Sequence, residues 1–164
     1  MNIDDFKRLP SLNLPAFELK LETNGEEVRI YDPIRRKSVI LTPEEYVRQN
    51  FVNWLVKQLR YPASLIANET SIRVNDTLKR CDTVVFNRRG EPLMIVEYKA
   101  PHVSITQETF DQIVRYNLSL KARYLVVSNG LHHYCCVIDY KTNTYNFIPE
   151  IPNYSEAYDG TGQN

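Results

Sequence analysis

Apolar residues recur along the chain with two spacings, and each spacing predicts one kind of element. From Thr42 to about Leu59 they return every three or four residues, which predicts an amphipathic helix capped by Thr42. The same spacing predicts a second helix from about Thr106 to Leu120. Shorter apolar runs bounded by turn residues predict strands at 70–74, 81–86, 93–98, 123–127, 133–139 and 144–148.

The order of these elements predicts an α/β (α+β) fold with a mixed central sheet flanked by helices. We assign residues 42–148 to this core domain. Residues 1–41 contain several prolines and short apolar stretches, so we expect an extension of strands and loops packed on the core, with a hairpin over 28–40. Residues 149–164 are acidic and lack Lys and Arg, which favours a flexible tail.

The first predicted helix has one apolar side and one polar side. Val47 and Phe51 belong to the apolar side, which leaves Arg48 and Gln49 for the solvent side. Because Glu45 follows the capping residue Thr42 by three positions, we expect its side chain to complete a capping box.

Composition excludes several classes of protein. The 164 residues are 43% hydrophobic and 24% charged with a net charge of zero, which indicates one compact domain without a general basic coat for nucleic acid. No apolar run approaches the roughly 18 residues of a membrane span, and the polar start lacks a signal-peptide core, so we expect a cytoplasmic protein with no membrane partner. The five glycines cannot form a P-loop or a dinucleotide-binding motif, so no nucleotide cofactor is expected.

The candidate chemistry lies at the end of the third predicted strand. Its run Leu93-Met94-Ile95-Val96 is apolar on both faces, as in a central strand, and it is followed by Glu97 and Lys99, which share one face. If the preceding hairpin folds about Arg89-Gly90, the facing pairs are Phe86 with Leu93, Val84 with Ile95 and Asp82 with Glu97.

Two facing carboxylates favour a cation between them. Asp82 and Glu97 would repel one another at the end of an apolar hairpin, and a hard divalent ion such as Mg²⁺ would make the arrangement favourable. Lys99 would then orient or deprotonate an attacking water, or neutralise a phosphate. The alternative is an unrelated α/β domain in which Glu97 and Lys99 form a structural ion pair.

At this point the sequence resembles a known family. Asp82 and Glu97-Tyr98-Lys99 resemble the D and E-x-K signature of the PD-(D/E)XK nuclease superfamily. The stretches RCDTVVF, IVEYKAP, QIVRYN and SNG are similar to the N-terminal nuclease domain of type I restriction enzyme R subunits, over about residues 42–148. The resemblance implies a restriction-endonuclease-like core and an endonuclease that hydrolyses DNA with Mg²⁺ or Mn²⁺.

The resemblance also assigns roles. It implies catalytic roles for Asp82, Glu97, Lys99, Gln112 and Tyr116, and metal binding by Asp82, Glu97 and the backbone carbonyl of Tyr98. Glu69, just before the first predicted strand, is expected either as an additional acid near the metal or as an edge carboxylate. Glu45 corresponds to a helix acid that some members use as an outer metal ligand. The sequence departs from the family at Cys81, which replaces the proline of the signature, and at Tyr98, where a small residue or cysteine is usual.

Partners and an alternative function follow from the same comparison. R subunits join this domain to an ATP-driven translocase, so we expect DNA as a partner and a motor or specificity subunit supplied by another chain. The alternative is a non-catalytic DNA- or protein-binding adaptor that keeps the fold. Its phosphate contacts would be Lys79, Arg80, Arg88 and Arg89.

Overall fold

A computed structural model describes residues 1–159 of the chain, which form helices and strands in two sheets. The α-helices are α1 (Ile3–Lys7), α2 (Pro43–Lys57), α3 (Gln107–Asn117) and α4 (Tyr154–Asp159), and 3₁₀ turns occupy Ala63–Leu65 and Leu118–Leu120. The strands are β1 (Leu21–Asn24), β2 (Glu27–Asp32), β3 (Lys37–Ile40), β4 (Ile66–Val74), β5 (Thr77–Phe86), β6 (Pro92–Tyr98), β7 (Tyr124–Ser128), β8 (His133–Asp139) and β9 (Thr144–Ile148). Within residues 1–159, no helix is long and apolar enough to cross a membrane.

The central sheet is mixed, as the sequence predicts. Its six strands follow the order β4-β5-β6-β7-β8-β9, and all neighbours are antiparallel except β6 and β7, which are parallel and joined by the crossover that contains α3. The strands β1, β2 and β3 form a separate antiparallel sheet in the N-terminal extension. The predicted α+β fold with a helix-flanked mixed sheet is therefore confirmed.

Alternation along the central strands divides the core into two apolar layers. On one face Val85 and Val96 pack with α2, and on the other face Val84 and Ile95 pack with α3. Because β6 is buried on both faces, a polar side chain at its end lies against protein rather than open solvent.

The register of the β5–β6 hairpin is confirmed over most of its length. Val84 pairs with Ile95 as predicted. The predicted pairing of Phe86 with Leu93 is wrong, because an irregularity between Val85 and Phe86 shifts the register and Phe86 pairs with Pro92. The shift lies near the turn, so it leaves the other end of the hairpin in the predicted alignment.

Helix α2 is buried on more sides than its apolar pattern indicates. Arg48 and Gln49 were expected on the solvent side, but they are only 5% and 4% exposed. Thr42 caps the helix as predicted, but the Glu45 carboxylate accepts hydrogen bonds from Arg35, Arg48 and Gln49 in place of a capping box. The cause is Arg35, which reaches Glu45 from the turn between β2 and β3.

The end of the chain packs on the core as far as it is described. Within the segment expected to be a flexible tail, Ile151 and Ala157 are buried, and the Tyr61 hydroxyl donates a hydrogen bond to the Pro152 carbonyl at 2.8 Å. The remainder of that expected tail, residues 160–164, lies outside the described residues.

Candidate active site

The strands β5 and β6 bring two carboxyl groups together. The Asp82 Oδ2 atom accepts a hydrogen bond from the Tyr98 backbone N–H at 2.9 Å, which fixes the end of β6 against β5. The carboxyl group of Glu97 lies close enough to Asp82 for the charge of Asp82 to act on it. The predicted convergence of these two residues is therefore observed.

The electrostatics of the pair differ from those of an exposed acid. Burial and then the charge of Asp82 raise the pKa of Glu97 to about 8, although Asn117 and Lys99 act in the opposite direction. Because this pKa lies above neutral pH, Glu97 holds its proton at pH 7 when no cation is bound. Lys99 is close enough for its charge to stabilise the ionised form of Glu97.

Asn117 is a site residue that the sequence analysis missed. Its side chain lowers the pKa of Glu97, its Nδ2 group donates a hydrogen bond to the Ile113 carbonyl at 2.9 Å, and the residue is 1% exposed. Its buried Oδ1 atom has no hydrogen-bond partner among the described residues. The available signal was its spacing, because Asn117 falls on the buried stripe of α3 together with Phe110 and Val114.

The additional acid Glu69 lies beside the pair but is already engaged. It occupies β4 with a left-handed backbone (φ 48°), and its two carboxylate oxygens accept hydrogen bonds from Arg48 and Arg80. The same Arg48 guanidinium lies 3.5 Å from the Asp82 Oδ1 atom. Thus Arg48 contacts two of the acids that the sequence assigns to a metal.

Gln112 and Tyr116 share one exposed side of α3, as their spacing predicts. The Tyr116 hydroxyl donates a hydrogen bond to the Arg80 carbonyl at 3.5 Å, which places Tyr116 against β5 near Asp82. Glu97 is instead contacted by Asn117, the residue that follows Tyr116. The structure therefore places Tyr116 beside the site and Asn117 within it.

The four basic residues predicted to bind phosphate fall into two places. Lys79 lies near the carboxylates and donates a hydrogen bond to the Tyr116 carbonyl at 2.9 Å, and Arg80 pairs with Glu69. Arg88 and Arg89 are exposed in the turn at the opposite end of the β5–β6 hairpin. Only the first pair adjoins the candidate site.

The chemistry of the donor set fits a hard divalent cation. No cluster of three or more His, Cys, Asp or Glu side chains able to hold a metal occurs among residues 1–159. Asp82 and Glu97 nevertheless supply two hard oxygen donors whose negative charges repel, and Mg²⁺ commonly uses one or two carboxylates and keeps several waters. Two carboxylates completed by water are therefore a suitable donor set.

The fold and the acidic pair define an α+β domain whose polar site lies where β6 ends beside the middle of β5. Residues 43–152 match the family described as type I restriction enzyme R protein N terminus. The chain belongs to this family. No curated protein matches the chain significantly.

A solved structure supports the same fold. The chain is similar, with a TM-score of 0.51 and 19% sequence identity, to a fragment of a protein described as an HsdR subunit of a type I restriction enzyme from Vibrio vulnificus YJ016. The similarity covers 73% of this chain and 25% of the neighbour, so the chain spans about a quarter of the neighbour's length.

Proposed function

We propose that this domain is a Mg²⁺- or Mn²⁺-dependent DNA endonuclease domain of the PD-(D/E)XK type. The observation that carries the proposal is the convergence of Asp82 and Glu97, where Asp82 is held by the Tyr98 backbone N–H and the raised pKa of Glu97 marks a position where negative charge lacks a cation. Membership of the R-protein N-terminal family supports DNA as the substrate and other subunits of a restriction complex as partners.

The residues that would hold the metal are Asp82, Glu97 and the backbone carbonyl of Tyr98, with Glu69 as an additional acid. Since Arg48 and Arg80 occupy Glu69, we assign the principal contacts to Asp82 and Glu97. A bound divalent cation would supply the positive charge that stabilises the developing charge on the phosphate and on the leaving oxygen.

The chain's own residues then perform the remaining tasks. Lys99, whose charge acts on Glu97, would orient the attacking water and neutralise a phosphate oxygen. The water oxygen would bond to phosphorus as the bond to the leaving oxygen breaks. The proton lost by water would pass to solvent, and the leaving oxygen would take up a proton from solvent. Gln112 and Tyr116 would contact the DNA phosphates or support Lys99 from the exposed side of α3.

One observation favours a second function, a non-catalytic DNA- or protein-binding adaptor. Both carboxylate oxygens of Glu69 are bound by arginines, and Arg48 also approaches Asp82. Arginine side chains therefore already neutralise part of the negative charge that a metal would otherwise neutralise. In such an adaptor Lys79, Arg80, Arg88 and Arg89 would hold phosphates, and a partner chain would supply any motor or specificity function.

Nicking of supercoiled plasmid with Mg²⁺ or Mn²⁺ separates the two functions. The positive charge of a bound metal stabilises the transition state by several kcal/mol. Glu97→Ala and Lys99→Ala should therefore each lower the cleavage rate on the order of 100-fold or more. Glu26→Ala and Lys37→Ala, two exposed positions on the N-terminal sheet, serve as matched controls. Equal cleavage by wild type and both site variants would reject the nuclease, and DNA binding without cleavage would establish the adaptor.

A further inference from the structure

A series of oppositely charged side chains leads from the N-terminal sheet to the acidic pair. Asp32, at the end of β2, is fully buried and pairs with Arg35. Arg35 also pairs with Glu45 of α2, and Glu45 pairs in turn with Arg48. Arg48 then lies 3.5 Å from Asp82. We call these residues, from Asp32 to Arg48, the charge relay.

A second, uncharged route joins the same two ends. The Asp32 Oδ2 atom accepts a hydrogen bond from the Asn68 side chain at 3.0 Å, and Asn68 accepts one from the Thr83 hydroxyl at 2.7 Å. The Tyr98 hydroxyl donates to Thr83 at 3.1 Å, while the Tyr98 backbone N–H donates to Asp82. Both routes begin at Asp32 and end at Asp82.

Arg48 is held by acids at its two terminal guanidinium nitrogens, while its buried Nε atom has no hydrogen-bond partner among the described residues. Its guanidinium is 5% exposed, donates to Glu45 and Glu69, and lies 5.5 Å from the centre of the Tyr98 ring. A planar guanidinium bound at two ends keeps one orientation only while both acids stay in place. If Arg35 were removed, Glu45 would lose one of its two arginines, and Arg48 would lose a fixed partner.

We propose that Arg48 is a positioning residue of the candidate metal site, and that Asp32 and Arg35 of the N-terminal extension hold it in place against Asp82. The inference rests on the proposed metal-dependent function and extends it to residues outside the family match at 43–152. The N-terminal sheet is then part of the functional unit as well as of the fold.

The test compares two arginines of the N-terminal extension in the full chain. Arg35→Met breaks the charge relay, whereas Arg29→Met removes an ion pair with Glu27 on the same sheet and leaves the relay intact. Two quantities are measured well below each variant's melting temperature: the Kd for Mn²⁺ by calorimetry, and rotation of the Arg48 guanidinium by ¹⁵N NMR. The Arg48 signal is assigned from its loss in Arg48→Lys.

We expect Arg35→Met to raise the Kd for Mn²⁺ about tenfold and to free the Arg48 guanidinium, since partners that orient metal ligands typically have effects of this size. Arg29→Met should change neither quantity. A purely structural role would lower the melting temperature of Arg35→Met without moving the Kd. If Arg35→Met does not fold, the near-isosteric Asp32→Asn carries the same test.

Failure of this inference can be distinguished from failure of the proposed function. If wild type binds Mn²⁺ and Arg35→Met binds it within about twofold, the positioning role is rejected and the metal site stands. If wild type binds no Mn²⁺, the metal site is rejected and the positioning role is rejected with it.

Discussion

The carboxyl groups of Asp82 and Glu97 lie close together where β5 and β6 run side by side, and the charge of Asp82 adds to burial in raising the pKa of Glu97. Without a cation the protonated form of Glu97 is therefore favoured at neutral pH. Stability, metal binding and pH are therefore linked through these two residues.

The first prediction concerns the stability of the metal-free protein. The unfolded chain releases the Glu97 proton near pH 4.5, whereas the folded protein keeps it until about pH 8, so this group makes the free energy of unfolding fall as pH rises between those values. Glu97→Gln removes that contribution and should be more stable than wild type by about 1 to 3 kcal/mol at pH 8, with a smaller difference at pH 5. Urea unfolding in EDTA across this pH range measures the effect.

Glu26→Gln, which changes an exposed acid of the N-terminal sheet, is the control for this series. Parallel stability curves for wild type and Glu97→Gln would show that Glu97 is not protonated in the folded protein.

The second prediction concerns Asn117. Asn117→Leu removes the polar side chain that lowers the pKa of Glu97, so it should raise that pKa further and weaken Mg²⁺ binding about tenfold. The pH at which Mg²⁺ binding is half-complete should move upward. Calorimetry at several pH values measures both quantities, with the exposed Glu108→Gln on the same helix as the control. Unchanged affinity in Asn117→Leu would remove Asn117 from the site.

The third prediction compares two arginines that share Glu69. Arg48→Met leaves Glu45 and Asp82 with an unbalanced charge, and loss of one partner from a buried ion pair typically costs about 3 to 5 kcal/mol. Arg80→Met should cause a much smaller loss, because the Arg80 side chain is 75% exposed. Urea unfolding of both variants tests the difference, and equal losses would contradict it.

The fourth prediction uses two glycines with the same backbone conformation. Gly130 and Gly90 have φ values of +82° and +80°, so alanine should cost about 1 to 2 kcal/mol at either position. At Gly130 an added Cβ would also lie 2.7 Å from the Leu12 Cδ2 atom, while at Gly90 it would meet nothing within 4 Å. Overpacking should therefore cost Gly130→Ala about 1 to 3 kcal/mol more. Thermal unfolding of the two variants checks this, and equal melting temperatures would show that Leu12 moves aside freely.

The sequence was sufficient for the β5–β6 hairpin and the acidic pair because both depend on local features. Val84 and Ile95 pair as predicted because the turn at Arg89-Gly90, between two apolar runs, determines their register. Glu97 follows such a run directly, so its position beside Asp82 was available from the pattern.

The charged network could not be predicted because it depends on distant segments. The pattern of helix α2 predicts that Arg48 is exposed to solvent. It is buried instead because it contacts Glu69 and Asp82 of the central sheet. Glu45 is likewise predicted to complete a capping box, because the helix pattern carries no sign of Arg35, which pairs with Glu45 from the N-terminal extension. Periodicity describes one helix at a time, whereas α2 contacts two sheets.

The parallel pairing of β6 and β7 determines where the chain can change its length. The connection between them crosses one face of the sheet and carries α3, so an inserted residue inside α3 would rotate Asn117 away from Glu97 by about 100°. The exposed tip of the β5–β6 turn lies at the far end of the hairpin, where insertions are commonly tolerated. Homologues and engineered variants should accordingly vary in length at the turn and keep the crossover constant.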